Sequence, residues 1–275
     1  ETGSLSSGSL ATLNITSDKY LEAIPFYPAY HGVIPNTFNI EMMVQRGYWM
    51  VSWFKKEFGL LEEQLAADKD LSPETLFDEL LAKVPAGSDG LMLQPYWSPS
   101  NGDGPETRGA IIGFNEDHTR AHLYRAMIEG LTYALKEGKE VLEKKTGKSI
   151  SRLVVSGGGS QSDEVMQITA DIFGMTIFRP HTFETSSLGA AIASAVGGKN
   201  GFQGYRGLPK SLCVPRNLVS FCRIELRESR CTAFVLAPHT NRSGLKCRGA
   251  KNIRFLTFVL RFDTARAVFL PLGHR

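Results

Sequence analysis

The residues that most clearly indicate a binding site are three consecutive glycines near the middle of the chain. Gly157, Gly158 and Gly159 follow the short apolar run Leu153-Val154-Val155 and precede Ser160-Gln161 and a helical pattern. Glycine lets a ligand approach the backbone closely, and the free N–H groups at the start of a helix favour an anionic or polar ligand. The turn therefore predicts a binding site for such a ligand.

Two other interpretations of this turn come from its local sequence. A dinucleotide-binding fingerprint requires the pattern G-x-G-x-x-G, followed by an acidic residue about 20 positions later. Ser162 occupies the position of the third glycine, so this fingerprint fails. A glycine turn that binds no ligand would have the same spacing, and the turn alone leaves that interpretation open.

The segments around the turn indicate how it is positioned. The run 153–155 is short and apolar, which favours a buried strand. Apolar residues then recur at helical spacing up to Gly174, which is expected to cap the helix. A second strand is predicted at 175–178, and a helix rich in small residues at 187–195. The sequence thus predicts a βαβα unit with a ligand-sized notch at its first turn.

Three further motifs precede the turn in a fixed order. They are Asp89-Gly90-Leu91-Met92-Leu93-Gln94-Pro95-Tyr96, Arg108-Gly109-Ala110-Ile111-Ile112-Gly113-Phe114 and the run from His118 to Gly130. With the glycine turn and the closing Leu-Gly-Ala-Ala helix, this order resembles the C-terminal domain of the FGGY family of carbohydrate kinases, which includes glycerol kinase, xylulokinase and ribulokinase. The resemblance covers about residues 5–198.

The resemblance implies an α/β fold of the actin-like ATPase (ribonuclease H-like) type, in which helices flank a mixed sheet. It also implies two domains with ATP and Mg²⁺ in the cleft between them. In the family, the glycine turn contacts adenosine. This role maps onto Gly157, Gly158, Gly159 and Ser160, with Gln161 and Ser162 just beyond.

A second nucleotide element is implied at the amino terminus. Residues 5–14 resemble the family's hairpin that touches the ATP phosphates, with Ser7, Gly8 and Ser9 at its tip. Hydroxyl and N–H groups there could bind phosphate oxygens, although Ser and Gly also form ordinary turns.

The segment 40–54 is interpreted as a helix with an aromatic face. It resembles a family helix whose early glycine approaches the nucleotide and whose tryptophan packs in the core, which suggests Gly47 and Trp53. The aromatic stripe itself is expected to belong to the core rather than to a ligand cage.

The expected activity is transfer of the γ-phosphate of ATP to a hydroxyl of a sugar or polyol, with a pentulose such as xylulose preferred. Such a reaction needs a carboxylate that accepts the hydroxyl proton. In the family this aspartate lies just before the hairpin, hence upstream of Glu1, so no catalytic residue is assigned here. The expected partner is the missing N-terminal kinase domain, whose carboxylates would hold Mg²⁺ together with the phosphates. The alternative is a catalytically inactive actin-like domain that serves as a binding or regulatory module, or a truncated gene product.

Charge divides the chain near residue 200. Residues 201–275 contain 11 Arg and 3 Lys against 2 Glu and 1 Asp, a net charge of +11, which leaves −8 for residues 1–200. All four cysteines, Cys213, Cys222, Cys231 and Cys247, lie in this tail without a C-x-x-C pair, which argues against a metal site. The expected domains are a kinase C-terminal domain at 1–200 and a basic tail at 201–275 of unassigned origin, for which the hypothesis is an aberrant product such as a frameshift.

Other features exclude further classes of function. His118 and His122 are four residues apart, but they lack the context of a zinc site, and a helix start capped near Asp117 explains them better. The scattered arginines of the tail form no nucleic-acid motif. A membrane role is not expected, because there is no signal peptide or apolar run of about 18 residues. A cytoplasmic protein is expected, and the resemblance is compatible with a homo-oligomer.

Overall fold

The computed structural model describes residues 2–24, 27–98, 104, 106–197 and, by backbone alone, 222–224. Within these ranges the chain forms nine strands and six helices. The strands are β1 (Thr2–Ser7), β2 (Ala11–Ser17), β3 (Tyr30–His31), β4 (Phe38–Val44), β5 (Met92–Gln94), β6 (Ala110–Ile112), β7 (Arg152–Ser156), β8 (Ile177–Arg179) and β9 (Cys222–Ile224). The helices are α1 (Trp49–Phe58), α2 (Leu60–Lys69), α3 (Pro73–Ala82), α4 (Arg120–Thr146), α5 (Asp163–Phe173) and α6 (Thr185–Gly197).

Seven of these strands form one mixed sheet in the order β3-β4-β2-β1-β7-β8-β9. Strand β2 pairs antiparallel with both β1 and β4, whereas β7 pairs in parallel with both β1 and β8. The inward positions of β2, which are Ala11, Leu13 and Ile15, are all at most 2% exposed. This alternation of buried and polar residues fixes the register of the strand, since a shift by one residue would expose the apolar set.

Helix α4 is the longest element and packs against β2, β4, β5, α3 and α5. Two of its glycines allow this close packing. A Cβ atom at Gly130 would lie 2.2 Å from the carbonyl oxygen of Leu93, and one at Gly138 would lie 2.4 Å from Met42. The helix begins after Thr119, two residues later than the expected cap near Asp117, because the Nδ1 atom of His122 accepts the N–H of Thr119 at 3.1 Å.

The predicted βαβα unit is confirmed as β7, α5, β8 and α6. Leu153 and Val155 are buried, and Gly174 ends α5 in the left-handed conformation at φ 66°. Strand β8 begins at Ile177, two residues later than predicted. The predicted hairpin near the amino terminus is also confirmed, with residues 8–10 between β1 and β2.

The prediction of a helix over residues 40–54 was wrong in its first half. Phe38–Val44 is strand β4, which pairs with β2 along its whole length, and α1 begins only at Trp49. Ile40 and Val44 are buried and four residues apart, a spacing that places side chains on one face of a helix or of a strand. Gly47 therefore lies in the turn that joins β4 to α1.

The aromatic residues of α1 belong to the core, as expected. Phe54 is fully buried, and its ring centroid lies 4.7 Å from that of Tyr124 and 5.6 Å from that of Phe77. Trp53 packs at the margin of this core, with its ring centroid 5.4 Å from that of Trp97.

The predictions made for the basic tail and its cysteines lie outside the described residues, apart from the backbone of Cys222–Ile224. This segment pairs antiparallel with β8 and adds the seventh strand to the sheet. In the part of the chain that the structure describes, no helix is both long and apolar enough to cross a membrane.

Candidate functional site

The glycine turn lies directly after β7 and has an unusual backbone. Gly157 has a φ of 93°, a conformation that side chains rarely adopt, and Gly158–Gln161 form a single 3-10 turn. The N–H of Gly157 donates to the carbonyl of Phe183 at 3.1 Å. Ser160 closes the turn, because its N–H and its hydroxyl both donate to the carbonyl of Gly157, at 3.1 and 2.7 Å.

The tip of the β1–β2 hairpin packs against this turn. A Cβ atom at Gly157 would lie 3.0 Å from the carbonyl carbon of Ser7, and one at Gly159 would lie 3.0 Å from the Cβ atom of Ser7. The hydroxyl of Ser7 is buried and donates to the carbonyl of Ser156 at 2.7 Å. The two segments that sequence analysis assigned to the nucleotide are therefore in direct contact.

The turn before α1 adds a third predicted segment to the same place. A Cβ atom at Gly47 would lie 2.4 Å from the backbone nitrogen of Ala11, at the start of β2. The N–H of Tyr48 donates to the carbonyl of Gly8 at 3.1 Å, which ties α1 to the hairpin tip. The Tyr48 ring lies beside Gly159, where a Cβ atom would be 2.6 Å from the Cδ1 atom of the ring.

The burial of Tyr48 makes it part of the base of the site. The residue is 8% exposed, and this burial raises the pKa of its phenol to about 12, against hydrogen bonds with Thr169 and Thr132 that lower it. The phenol thus stays neutral at physiological pH and serves as a packing surface beneath the turn.

Some of the predicted site residues are buried, and others are exposed. Gly47, Ser7 and Ser160 are buried, and both serine hydroxyls donate to backbone carbonyls. Ser9 and Gly158 are exposed, and no described atom lies within 4 Å of a Cβ position at Gly158. Among the described residues, none accepts a hydrogen bond from the N–H groups of Gly158 and Gly159.

Ser162 ends the turn and begins α5. Its hydroxyl accepts the N–H of Val165 at 3.0 Å, as an N-cap does, and donates to the Oδ1 atom of Asp78 on α3. Burial raises the pKa of the Asp78 carboxyl, and Glu164 and Asp163 raise it further, while the hydrogen bond from Ser162 opposes the shift. Sequence analysis missed Asp78, which is 84 positions away from its partner.

Arg179, at the end of β8, is a second residue that contacts the site and that sequence analysis did not assign to it. Its Nη1 atom donates to the carbonyls of Ser160 and Gln161, at 2.9 and 3.3 Å. The position itself was a usable signal, since the carboxyl ends of adjacent parallel strands lie at the same edge of a sheet.

Within the described ranges, no group of three or more His, Cys, Asp or Glu side chains could hold a metal ion. His122, one of the two histidines considered from the sequence, uses its Nδ1 atom at the start of α4 and places its Nε2 atom 3.2 Å from the Oδ2 atom of Asp89.

The sequence matches a protein-family model over most of its length. The model for the C-terminal domain of the FGGY carbohydrate kinases matches residues 3–198. The chain belongs to the FGGY family of carbohydrate kinases. An uncharacterized sugar kinase, YgcE of Escherichia coli, is 36% identical over 165 residues, which are 60% of this chain and 33% of that protein. A xylulose kinase of Lactococcus lactis is 34% identical over 149 residues, 54% of this chain and 28% of that protein.

Solved structures of FGGY kinases share the fold. The structure of a xylulose kinase from Rhodospirillum rubrum superposes with a TM-score of 0.64 at 23% identity, over 82% of this chain and 43% of that one. That of a Plasmodium falciparum glycerol kinase with ADP gives 0.61 at 19% identity, with the same coverage. The predicted actin-like fold with a mixed sheet is therefore confirmed. The chain spans about a third of the length of the curated relatives that it matches.

Proposed function

We propose that this chain is the nucleotide-binding half of an ATP-dependent carbohydrate kinase, which transfers the γ-phosphate of ATP to a hydroxyl of a sugar or polyol. The observation that carries the proposal is the convergence of the β1–β2 hairpin tip, the turn at Gly47 and the turn at 157–159. These segments are far apart in sequence, and each was assigned to the nucleotide from its residues and the family resemblance.

The accessible groups of the site suit the parts of ATP in different ways. An adenosine needs flat access to the backbone, which the open surface at Gly158 offers. The phosphates need N–H and hydroxyl donors, which Gly8 and Ser9 present at the hairpin tip. ATP would supply the phosphoryl group, and the residues of the turn and the hairpin tip would hold and orient the nucleotide. Ser7, Ser160 and Ser162 would shape the site through the backbone rather than through contact with the nucleotide.

The reaction also requires groups beyond this site. A carboxylate must accept the proton of the attacking hydroxyl, and Mg²⁺ must screen the phosphate charges. We assign the carboxylate to an aspartate upstream of Glu1, and Mg²⁺ to the phosphates and to carboxylates of an N-terminal kinase domain. That domain is the proposed partner, and residues 1–200 are the proposed unit that docks with it.

A pentulose such as xylulose is the proposed acceptor. The Lactococcus lactis and Rhodospirillum rubrum proteins that resemble this chain carry the name xylulose kinase, whereas others carry the name glycerol kinase. In this proposal the N-terminal domain selects the sugar, so the described site does not determine which sugar is phosphorylated.

Calorimetric titration of the full chain with ATP, with and without Mg²⁺, tests nucleotide binding. The proposal predicts saturable binding of ATP and ADP, with little binding of a nucleoside that lacks the phosphates. A folded chain that binds neither nucleotide would contradict it.

Phosphoryl transfer can be tested in a chimera. Residues 3–198 would replace the matching domain of the Lactococcus lactis xylulose kinase, and ADP release would be followed with xylulose, ribulose and glycerol. Turnover with xylulose is expected. A chimera that binds ATP but transfers no phosphate to any of the three would favour the alternative of an inactive binding module.

A further inference from the structure

The glycine turn depends on groups outside itself to keep its shape. A 3-10 turn has poor internal hydrogen-bond geometry and is stable only over short stretches. Here it follows Gly157, whose φ of 93° is available to few residues. The N–H and the hydroxyl of Ser160 close the turn from within, and contacts from outside the turn add to this hold.

Arg179 is the charged anchor of this turn. Its guanidinium reaches the two carbonyls at the end of the turn, those of Ser160 at 2.9 Å and Gln161 at 3.3 Å. Hydrogen bonds from a charged donor are stronger than those between neutral groups, and the planar guanidinium can serve several acceptors from one position. Its side chain is 23% exposed, so water competes only in part for these bonds.

The same guanidinium also contacts the start of α5. Its Nη2 atom lies 2.8 Å from the Oδ1 atom of Asp163, the first residue of that helix. The Asp163 side chain is 80% exposed, and such an exposed pair adds little to stability. The effect of Arg179 is therefore expected to act mainly through the two carbonyls of the turn.

We propose that Arg179 is a positioning residue for nucleotide binding, which holds the turn at 158–161 in the shape that presents its N–H groups to ATP. This inference rests on the proposed function of the turn. Its distinctive consequence is that nucleotide affinity depends on a side chain from β8 that need not touch the nucleotide.

The fold is expected to survive the loss of Arg179, because α5 has a separate anchor. The hydroxyl of Ser162 caps the helix and is held by Asp78 on α3. Ile168 and Phe173 of the same helix are buried in the core. Arg179→Met should thus loosen the turn without unfolding the helix that follows it.

The test compares Arg179→Met and Arg179→Lys with the wild-type full chain. ATP affinity would be measured by calorimetry, thermal stability by melting, and hydrogen exchange on the peptide that spans residues 157–162. Arg152→Met is the matched control, since it removes the same charge from the neighbouring strand β7, where the guanidinium lies over the Phe178 ring at 4.5 Å. This control separates positioning from the loss of one positive charge elsewhere on the sheet.

The expected result is an ATP affinity about tenfold weaker in Arg179→Met, with a melting temperature close to that of the wild type and faster exchange in 157–162. Arg179→Lys should recover part of the affinity, and Arg152→Met should leave it unchanged. If Arg179→Met does not fold, the ATP affinity of Arg179→Lys and its hydrogen exchange in 157–162 decide the question.

Equal ATP affinity and equal exchange in wild type and Arg179→Met would overturn the inference while leaving the proposed function intact. An equal loss of affinity in Arg152→Met would also overturn it, because charge alone would then explain the effect. If the wild type binds no ATP, the proposed function fails, and the exchange rates still decide whether Arg179 positions the turn.

Discussion

The backbone of Gly157 lies against the backbone of Ser7. A Cβ atom at Gly157 would come within 3.0–3.1 Å of the carbonyl carbon, nitrogen and oxygen of Ser7, a distance that side chains rarely tolerate. This contact joins the end of β7 to the end of β1, which pair in parallel up to Ser6 and Ser156. The glycine turn and the hairpin tip therefore form one structural unit, and changes in one are expected to affect the other.

Gly157→Ala is expected to destabilise the protein by about 1–3 kcal/mol, because alanine is strained at positive φ and its methyl group would press on Ser7. Urea unfolding followed by circular dichroism measures the effect. Gly158→Ala is the matched control, since its Cβ position is open and it should change stability by less than about 0.5 kcal/mol. Equal losses in the two variants would contradict the described turn geometry.

Ser7→Ala and Ser9→Ala are expected to have different effects, although both remove a hydroxyl from the hairpin tip. The Ser7 hydroxyl is buried on the carbonyl of Ser156, so its loss should cost about 1–3 kcal/mol of stability. Ser9 is exposed, so Ser9→Ala should leave stability unchanged and weaken ATP binding. Thermal melting and calorimetry on both variants test this. A stable Ser7→Ala protein would show that its hydroxyl is not a structural one.

The order of elements around the site could be predicted from sequence because local signals agreed with the fold. Gly174 ended an apolar helical pattern, and the run at 153–155 was too short and apolar for an exposed element. The interpretation of 40–54 failed because Ile40 and Val44 fit both helical and strand periodicity. Only their pairing with β2, which depends on residues 25 or more positions away, selects the strand.

The site was predictable where glycine spacing signals a turn, and less so where a side chain supports that turn. The positions of Gly157 and Ser7 followed from motifs. The hydroxyl of Ser7 was expected to be available to phosphate, yet its direction depends on β7, which lies about 150 residues later. Arg179 donates to backbone carbonyls. Because every residue has one, the sequence of the turn does not indicate this contact.

Tyr48 and Tyr124 are expected to resist ionisation in the native protein. Burial raises the pKa of Tyr48 to about 12 and raises that of Tyr124 as well. The unfolded chain loses these protons near pH 10, so the native state binds more protons between pH 10 and 12 and stability falls as pH rises through this window. Ultraviolet titration should show that Tyr48 and Tyr124 ionise only with unfolding. Tyr48→Phe should reduce the alkaline loss of stability, and an unchanged pH slope would contradict this.

The pair of Arg120 and Glu62 should make stability sensitive to acid. Two guanidinium nitrogens donate to the two oxygens of Glu62, which is 5% exposed, and this hydrogen bonding lowers the pKa of the carboxyl against the opposing effect of burial. The contribution is therefore complete above the ordinary pKa of 4.5 and is lost as pH falls below it.

Arg120→Met should cost about 2 kcal/mol at pH 7, since it leaves a buried carboxylate without its partner. Glu62→Gln should lose less stability at pH 7. Its stability should also fall less steeply than that of the wild type as the pH is lowered. Urea unfolding between pH 3 and 7 gives both results. An acid limb that stays as steep in Glu62→Gln as in the wild type would assign the acid sensitivity to other carboxylates.

Nucleotide binding at the glycine turn is tested by measuring ATP affinity after a charge is placed in that turn. Gly158→Asp adds a carboxylate at an open position, so the fold should persist while phosphate or adenosine binding is blocked. Gly158→Ala separates bulk from charge, and Gln64→Glu adds the same charge at an exposed site on α2. Calorimetry with ATP and Mg²⁺ should show binding in the wild type and in Gln64→Glu, and a loss of at least about tenfold in Gly158→Asp. A folded Gly158→Asp protein that binds ATP as tightly as the wild type would show that the nucleotide does not bind at the glycine turn.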